Sequence, residues 1–281
     1  MKKKLSRFDL QRMKDDGKKA VWMTAYDFIT AQLAERAGLD MLLVGDSLGM
    51  AVYGYSGTVP VTMDQCIYHC EAVRRAAPNT FVIGDMPFGA YQVDTADAVR
   101  NAVRFHKEAG VDCIKLEGGR RVTNVIRAIS DGGMLVMGHV GLTPQSSGVL
   151  GGFKAQGRTA EEAIDVIEDA RAVYEAGAFS ILVEAVPPEV TRIITETLPI
   201  PVYGIGAGDC DGQVTICSDI LGLFQAFTPK FVKKYGNLAD EMLKVFEAYA
   251  TDVREGHFPA EAHIYRMVDG ELERLERLRS R

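Results

Sequence analysis

ERAGLDMLLVGD at 35–46, KEAGVDCIKLE at 107–117 and YEAGAFSILVE at 174–184 repeat one phrase. A charged helix end runs into Ala-Gly, a short apolar run follows, and the run stops on a carboxylate. Glycine suits the helix stop because it enters the left-handed region without a Cβ penalty. A continuous apolar run reads as a strand buried on both faces, as in parallel sheets covered by helices. RRAAPNTFVIGD at 74–85 keeps the plan without its glycine. The phrase therefore spells helix, turn, parallel strand, acid. Chemistry in such folds sits at the carboxyl ends of the strands, which places Asp46, Asp85, Glu117 and Glu184 in candidate positions for one site.

Worked outward from these units, the chain reads as an α/β protein. Strands are expected in KKAVWMTAYD, MLLVGDS, FVIGDMPF, CIKLEGG, MLVMGHVG, FSILVEAVP and PVYGIGAG, with helical patterns between them. Thr62 and Thr95 are expected helix caps. Two long segments, 48–61 and 142–159, are rich in Gly and Ser, and the first suits a lid. The eighth unit is ambiguous. DGQVTICSDILGLF can be a helix capped by Asp211, with KFVKKYG as strand eight, or it can itself be the eighth strand, with KFVKKYG opening the last helix. Either count closes a (βα)8 TIM barrel, expected as a single domain over 1–281 with a helical tail from about 237 to 281. An open doubly wound sheet is the alternative.

A chain of 281 residues, 47% hydrophobic and 25% charged, has length enough for one large core. A net charge of -6 gives no basic footprint for nucleic acid. The start, MKKKLSRFDLQ, lacks the apolar core of a secretory signal, and no run is long enough to span a bilayer, so a soluble, cytoplasmic protein is expected. Five cysteines without CxxC spacing imply no disulfide framework. Cys66 and Cys70, a helical turn apart with His69 beside them, could hold a metal, although buried cysteines more often act as small hydrophobes.

The strand-end residues carry the chemistry. Asp46 and Asp85 each follow a glycine, read as leaving room beside the carboxylate, and oxygen donors from different strands suit a hard cation such as Mg2+. Glu117 is a further donor. Lys115, two residues before Glu117, points to the same face and needs an anionic partner there. His139 ends its strand, where it could donate to an oxyanion or shuttle a proton. Glu184 lies between ILV and AVPP, apart from the other acids, and is the candidate general base, because a metal-bound carboxylate is a poor proton acceptor. GIGAGDCDG lacks the spacing of a dinucleotide fingerprint.

VGDSLGM (44–50), GDMPF (84–88), IKLEGG (114–119), GHVGLTPQS (138–146), GGFKAQGR (151–158) and GIGAG followed by DGQ resemble the ketopantoate hydroxymethyltransferase family over about Val21 to Pro259. The resemblance implies a (βα)8 barrel, assembled as a homodecamer, that uses Mg2+ and 5,10-methylenetetrahydrofolate as co-substrate to convert 3-methyl-2-oxobutanoate to 2-dehydropantoate. It implies Mg2+ at Asp46 and Asp85, with Glu117 outer or third, and substrate contacts from Asp46, Ser47, Asp85 and Lys115. It places Glu184 as proton acceptor and His139 in the active site. The chain departs from the pattern at Ala185, where the family has Cys, at Ser218, where members commonly have His before the acid that is Asp219 here, and in a turn from Gly208 to Asp211 that is one residue short. The departures after strand seven put folate contacts in question more than the metal centre. Two other readings stay open: a Mg2+-dependent carbon-carbon lyase or phosphonomutase on a 2-oxo acid, against which stands the lack of a KKCGH-like motif, and a non-catalytic barrel.

Overall fold

The computed structural model describes residues 3–280. Met1 and Lys2 of the basic start, and Arg281, lie outside them.

Eight parallel strands close into a barrel in sequence order: β1 Ala20–Thr24, β2 Met41–Val44, β3 Phe81–Asp85, β4 Cys113–Glu117, β5 Leu135–Gly141, β6 Ser180–Glu184, β7 Val202–Ile205 and β8 Gly212–Gln213. Strand eight pairs with β1 through Ala20↔Gly212 and Val21↔Gln213, which removes the free edges that an open sheet would expose. The repeat behaves as its residues dictate. Gly38, Gly110 and Gly177 adopt φ of +86°, +64° and +105°, just past helices Phe28–Arg36, Thr95–Lys107 and Ala160–Glu175. In the copy without glycine, helix Met63–Ala76 ends on Ala77 at φ -126°, a less abrupt exit that needs no left-handed residue.

Carboxylates also pin the other ends of the strands. Asp40 accepts from the Val21 N–H at 2.9 Å, Asp112 from Val82 N–H at 2.9 Å and Asp211 from Val202 N–H at 2.8 Å. Asp211 also takes the Lys14 ammonium at 2.7 Å, so it anchors the barrel floor rather than capping a helix. Lys14 lies on helix Arg7–Asp15, which the charged sequence concealed; a Ser6–Asp9 capping box starts it, and Leu10, 1% exposed, closes the floor on the inner cluster of Trp22, Met41 and Phe81. A second apolar shell packs the helices onto the outer faces of the strands.

The ambiguous eighth unit resolves in favour of DGQ as the strand, with no helix between β7 and β8. Cys217–Ile220 is a short helix, and KFVKKYG is neither a strand nor the start of the last helix, which begins at Leu238. That segment crosses the rim: Tyr235 N–H bonds Ile220 C=O at 2.8 Å, and the Phe231 ring covers Gly206 so closely that a Cβ there would meet Phe231 Cδ1 at 2.6 Å. Segment 48–61 opens with a helical turn, Leu48–Ala51, and segment 142–159 contains another, Ser147–Leu150. Thr62 caps as expected, whereas the helix at Thr95 is capped one residue earlier, by Asp94. The tail forms helices Leu238–Glu255 and Glu271–Arg279, neither with a buried residue. No described helix is long and apolar enough to cross a membrane.

Candidate active site

The carboxyl ends of the strands open into a cavity of about 990 Å³ whose lining includes Asp46, Ser47, Asp85, Lys115, Glu117, His139 and Glu184. All seven sequence-derived candidates are thus brought together. The parallel register produces this: Asp85 aligns with Lys115 on β4, Glu117 with His139 on β5, and Gly141 with Glu184 on β6. Alternation along β4 then puts Lys115 and Glu117 on the inner face.

Lys115 Nζ lies 2.7 Å from Asp85 Oδ1 and 3.5 Å from Glu117 Oε1, all three side chains being almost wholly buried. Burial opposes its charge, but Asp85, Glu117 and Asp46 outweigh burial and hold the ammonium charged well past the usual lysine range. The same burial acts on the acids with different outcomes. Glu117 is held below the usual carboxylate range because Lys115 and His139 overcome desolvation. Asp46 is pushed well above it by burial and by the neighbouring Asp85 and Glu117 carboxylates, with Lys115 too little to compensate. Asp85 is also raised, by burial first, despite Lys115. Three carboxylates around one ammonium leave the cluster short of positive charge.

His139 bridges to the base candidate. Its Nδ1 lies 3.4 Å from Glu117 Oε1 and its Nε2 3.2 Å from Glu184 Oε2. Neither contact is aligned well enough to count as a hydrogen bond, so the attraction is mainly charge to charge. Burial and Lys115 would lower its pKa, yet the two carboxylates win and it is pushed up to about 9. Glu184 therefore does not stand in apolar company alone: its side chain is 16% exposed and faces an imidazolium. The next residue, Ala185, has φ +49°, the one non-glycine residue in the left-handed region among those described. Bonds at 2.9 Å from its N–H to Ile205 C=O and to its C=O from Gln156 N–H hold that turn.

Gln145, which lies inside GHVGLTPQS without a pattern of its own to single it out, ties the site together. Its side-chain amide donates to Asp46 Oδ2 at 2.8 Å and to Met86 C=O at 2.9 Å, while its backbone N–H donates to Glu117 Oε2 at 3.1 Å. Tyr91 fixes the amide's orientation by donating to its Oε1 at 2.7 Å. Tyr91 had no sequence signal at all. Ser47 is held by Tyr26, the two hydroxyl oxygens lying 2.8 Å apart.

The glycines before the acids divide. A Cβ on Gly45 would press on Ser47 Oγ at 3.0 Å and only touch Asp85 Oδ2 at 3.6 Å, so this glycine spares a hydroxyl more than a carboxylate, whereas one on Gly84 would strike the Phe105 ring at 2.8 Å. Gly84 faces outward and lets helix Thr95–Lys107 approach. Cys66 and Cys70 are buried as hydrophobes, and His69 is engaged by Tyr26 C=O and the Tyr53 hydroxyl, so they do not form a metal site.

Among the described residues no three His, Cys, Asp or Glu side chains form a ready metal cage. Both oxygens of Glu117 are engaged by protein groups, as are both of Asp85, by Lys115 and the Asp46 N–H, so this engagement does not separate the two as metal ligands. Asp46 and Asp85, with Glu117 beside them, fit Mg2+. This ion is usually held by one or two carboxylates while it keeps waters and takes substrate oxygens, and the charge shortfall around Asp46 is what a divalent cation would correct.

A closed parallel barrel that gathers a lysine, a histidine and carboxylates from neighbouring strands at its carboxyl rim belongs to the (βα)8 class, whose active sites lie at that rim. Within that class, the family model described as ketopantoate hydroxymethyltransferase matches residues 4–261, and the chain belongs to this family. It is 63% identical over 97% of its length to 3-methyl-2-oxobutanoate hydroxymethyltransferase of Alkaliphilus metalliredigens, covering 97% of that protein. It is 53% identical to the enzyme of the same name from Moorella thermoacetica, covering 92% of this chain and 96% of that one. Phosphonopyruvate hydrolase, solved in complex with oxalate and Mg2+, aligns over 98% of each chain with a TM-score of 0.59 at 16% identity, a likeness of fold.

Proposed function

We infer that this enzyme transfers a hydroxymethyl group from 5,10-methylenetetrahydrofolate to 3-methyl-2-oxobutanoate, giving 2-dehydropantoate for pantothenate biosynthesis, with Mg2+ held by Asp46 and Asp85. Family membership and relatives of that name support the reaction, ahead of a lyase, phosphonomutase or non-catalytic barrel. One observation carries the mechanism: Glu184 stands across His139 from the buried Asp85–Lys115–Glu117 cluster, so a proton acceptor and an anion-binding cation face the same cavity from different strands.

Bound at Asp46 and Asp85, Mg2+ would draw electron density from the carboxylate and keto oxygens of the oxo acid and make its C3 proton more acidic. Lys115 supplies the fixed positive charge that orients the substrate carboxylate, and Ser47, held by Tyr26, can donate to it. Glu184 removes the C3 proton. His139, lying between Glu117 at 3.4 Å and Glu184 at 3.2 Å, positions Glu184 and serves proton return through it. The C3 carbanion equivalent attacks the one-carbon unit of the donor, with water supplying the hydroxyl oxygen and tetrahydrofolate leaving. Apolar residues exposed on helix Leu238–Glu255, including Val245, Phe246 and Tyr249, support assembly as a homo-oligomer, the decamer that the resemblance implies.

The test is exchange of the C3 proton of 3-methyl-2-oxobutanoate into deuterated water. Glu184→Gln should abolish exchange and leave Mg2+ binding intact. Loss of Mg2+ binding in that variant would reassign Glu184 to the metal, and unchanged exchange would remove it as the base.

A further inference from the structure

His69, on helix Met63–Ala76, is committed to two partners that both lead to Ser47. Its Nδ1 bonds the Tyr26 carbonyl, which can only accept, so Nδ1 carries the ring hydrogen. In that tautomer Nε2 accepts, and the Tyr53 hydroxyl donates to it at 3.1 Å. The Tyr53 ring also meets the imidazole edge to face, with centroids 5.6 Å apart, and stacks on Tyr55 at 5.5 Å. Tyr55 is tied to the same helix, through Gln65 Nε2 at 3.1 Å.

The two partners belong to segments that meet beside the cavity. Tyr26 follows β1 and is 4% exposed, and its hydroxyl oxygen lies 2.8 Å from Ser47 Oγ. Its carbonyl accepts from no backbone N–H among the described residues, which leaves the imidazole as its donor there. Tyr53 follows the helical turn Leu48–Ala51 that Ser47 begins, and its N–H bonds Leu48 C=O at 3.1 Å. Met50 and Ala51 of that turn line the cavity with Ser47. A serine side chain can take three staggered positions, so its hydroxyl has a fixed aim only if neighbours select one. Gly45 and Tyr26 confine this one from two residues away in sequence and from another strand. His69 is the group that holds Tyr26 and the turn of Ser47 in one grip.

We propose that His69 is a positioning residue for oxo-acid binding. By holding the Tyr26 carbonyl and the Tyr53 hydroxyl it fixes Tyr26 against Ser47, so that the Tyr26 phenol donates to Ser47 Oγ and the serine hydrogen is left for the substrate carboxylate. His69 touches no reacting atom and acts through Ser47. This role rests on the reading that Ser47 binds the oxo acid.

C3 proton exchange by the full-length enzyme with Mg2+, at varied 3-methyl-2-oxobutanoate, tests it. Loss of a bond made equally to bound substrate and transition state raises KM and leaves kcat alone, whereas loss of folded molecules lowers kcat at unchanged KM. His69→Ala should therefore raise KM by about 3–10-fold, the scale of one neutral hydrogen bond, with little change in kcat. His69→Asn, whose amide nitrogen stands where Nδ1 stands and can still donate to the Tyr26 carbonyl, should bring KM back to within about 2-fold of the unsubstituted enzyme. Ser47→Ala should raise KM at least as much as His69→Ala, and the double variant should match Ser47→Ala, because His69 acts through the hydroxyl already removed. Calorimetric titration of the same variants with the oxo acid should give the same pattern in Kd, whatever the role of Glu184. A fall in kcat at unchanged KM in His69→Ala, no rescue by asparagine, or effects of the two substitutions that multiply would mark a structural role and overturn the proposal. Unchanged KM and Kd in Ser47→Ala would instead refute Ser47 as a substrate contact, and the route through it with it.

Discussion

Replacing Gln145 with leucine would separate the metal ligands from the groups that orient them. The side chain is 5% exposed, and its amide donates to Asp46 Oδ2 at 2.8 Å and Met86 C=O at 2.9 Å. Leucine has similar bulk and no donor. The lost bond to a carboxylate is worth about 1.5–3 kcal/mol, and a buried carbonyl left without a partner costs about 1–3 kcal/mol. Tyr91 keeps its partners on Glu117, so no further penalty arises there. The sum, about 2.5–6 kcal/mol, lowers the melting temperature by roughly 4–10 °C for a chain of this size. Without the amide, Asp46 is also free to rotate, and removal of such an outer partner typically weakens metal affinity by about 10–100-fold. Calorimetric Mg2+ titration alongside thermal unfolding measures both. Gln145→Glu keeps the shape but turns the donor into an acceptor facing Asp46, and should weaken Mg2+ binding as well. An unchanged Mg2+ affinity in Gln145→Leu, whatever its stability, would refute the claim that Gln145 orients Asp46.

Other perturbations follow from the same geometry. Lys115→Met leaves Asp85 buried without its 2.7 Å partner, which should cost about 3–5 kcal/mol in denaturant unfolding and abolish oxo-acid binding; a variant as stable as the unsubstituted enzyme would mean that Asp85 finds another cation. The folded pKa of His139 is raised from 6.5 to about 9, so its contribution is fully present below about pH 6.5 and is lost as pH rises through about 9. The shift corresponds to about 3 kcal/mol, and unfolding of the unsubstituted enzyme and of His139→Asn at pH 6 and pH 10 should differ by that order; parallel pH dependences would show that the histidine is not charged in the folded state.

How far the site could be read in advance depends on where each residue's signal lay. Asp46, Asp85, Glu117 and Glu184 were legible because each ends an apolar run in a repeated unit, and parallel strands gather such ends on one rim. Lys115 was legible through its two-residue offset from Glu117. Tyr91 was not, because it lies in a turn after β3 with no periodicity, and it meets Glu117 and Gln145 only when the barrel closes. Strand eight stayed open between two readings because Gly212–Gln213 is too short to show a pattern, and the reading with no helix before the strand is the one the barrel adopts. The role of Gly84 also escaped: sequence shows a small residue beside an acid, but only packing shows that Phe105 needs the space.

By itself the sequence determined the barrel and the ring of acids, since local propensity and hydrophobic period repeat from unit to unit and need no knowledge of distant contacts. Only the tertiary structure decided how the acids divide. Each depends on charges brought by other strands at separations of a few ångströms: Lys115 and His139 hold Glu117 low, Asp46 is left short of positive charge, and His139 turns Glu184 from an isolated base into one end of a charged chain. Electrostatic interaction falls off with distance and strengthens with burial, and neither quantity exists until the chain has folded.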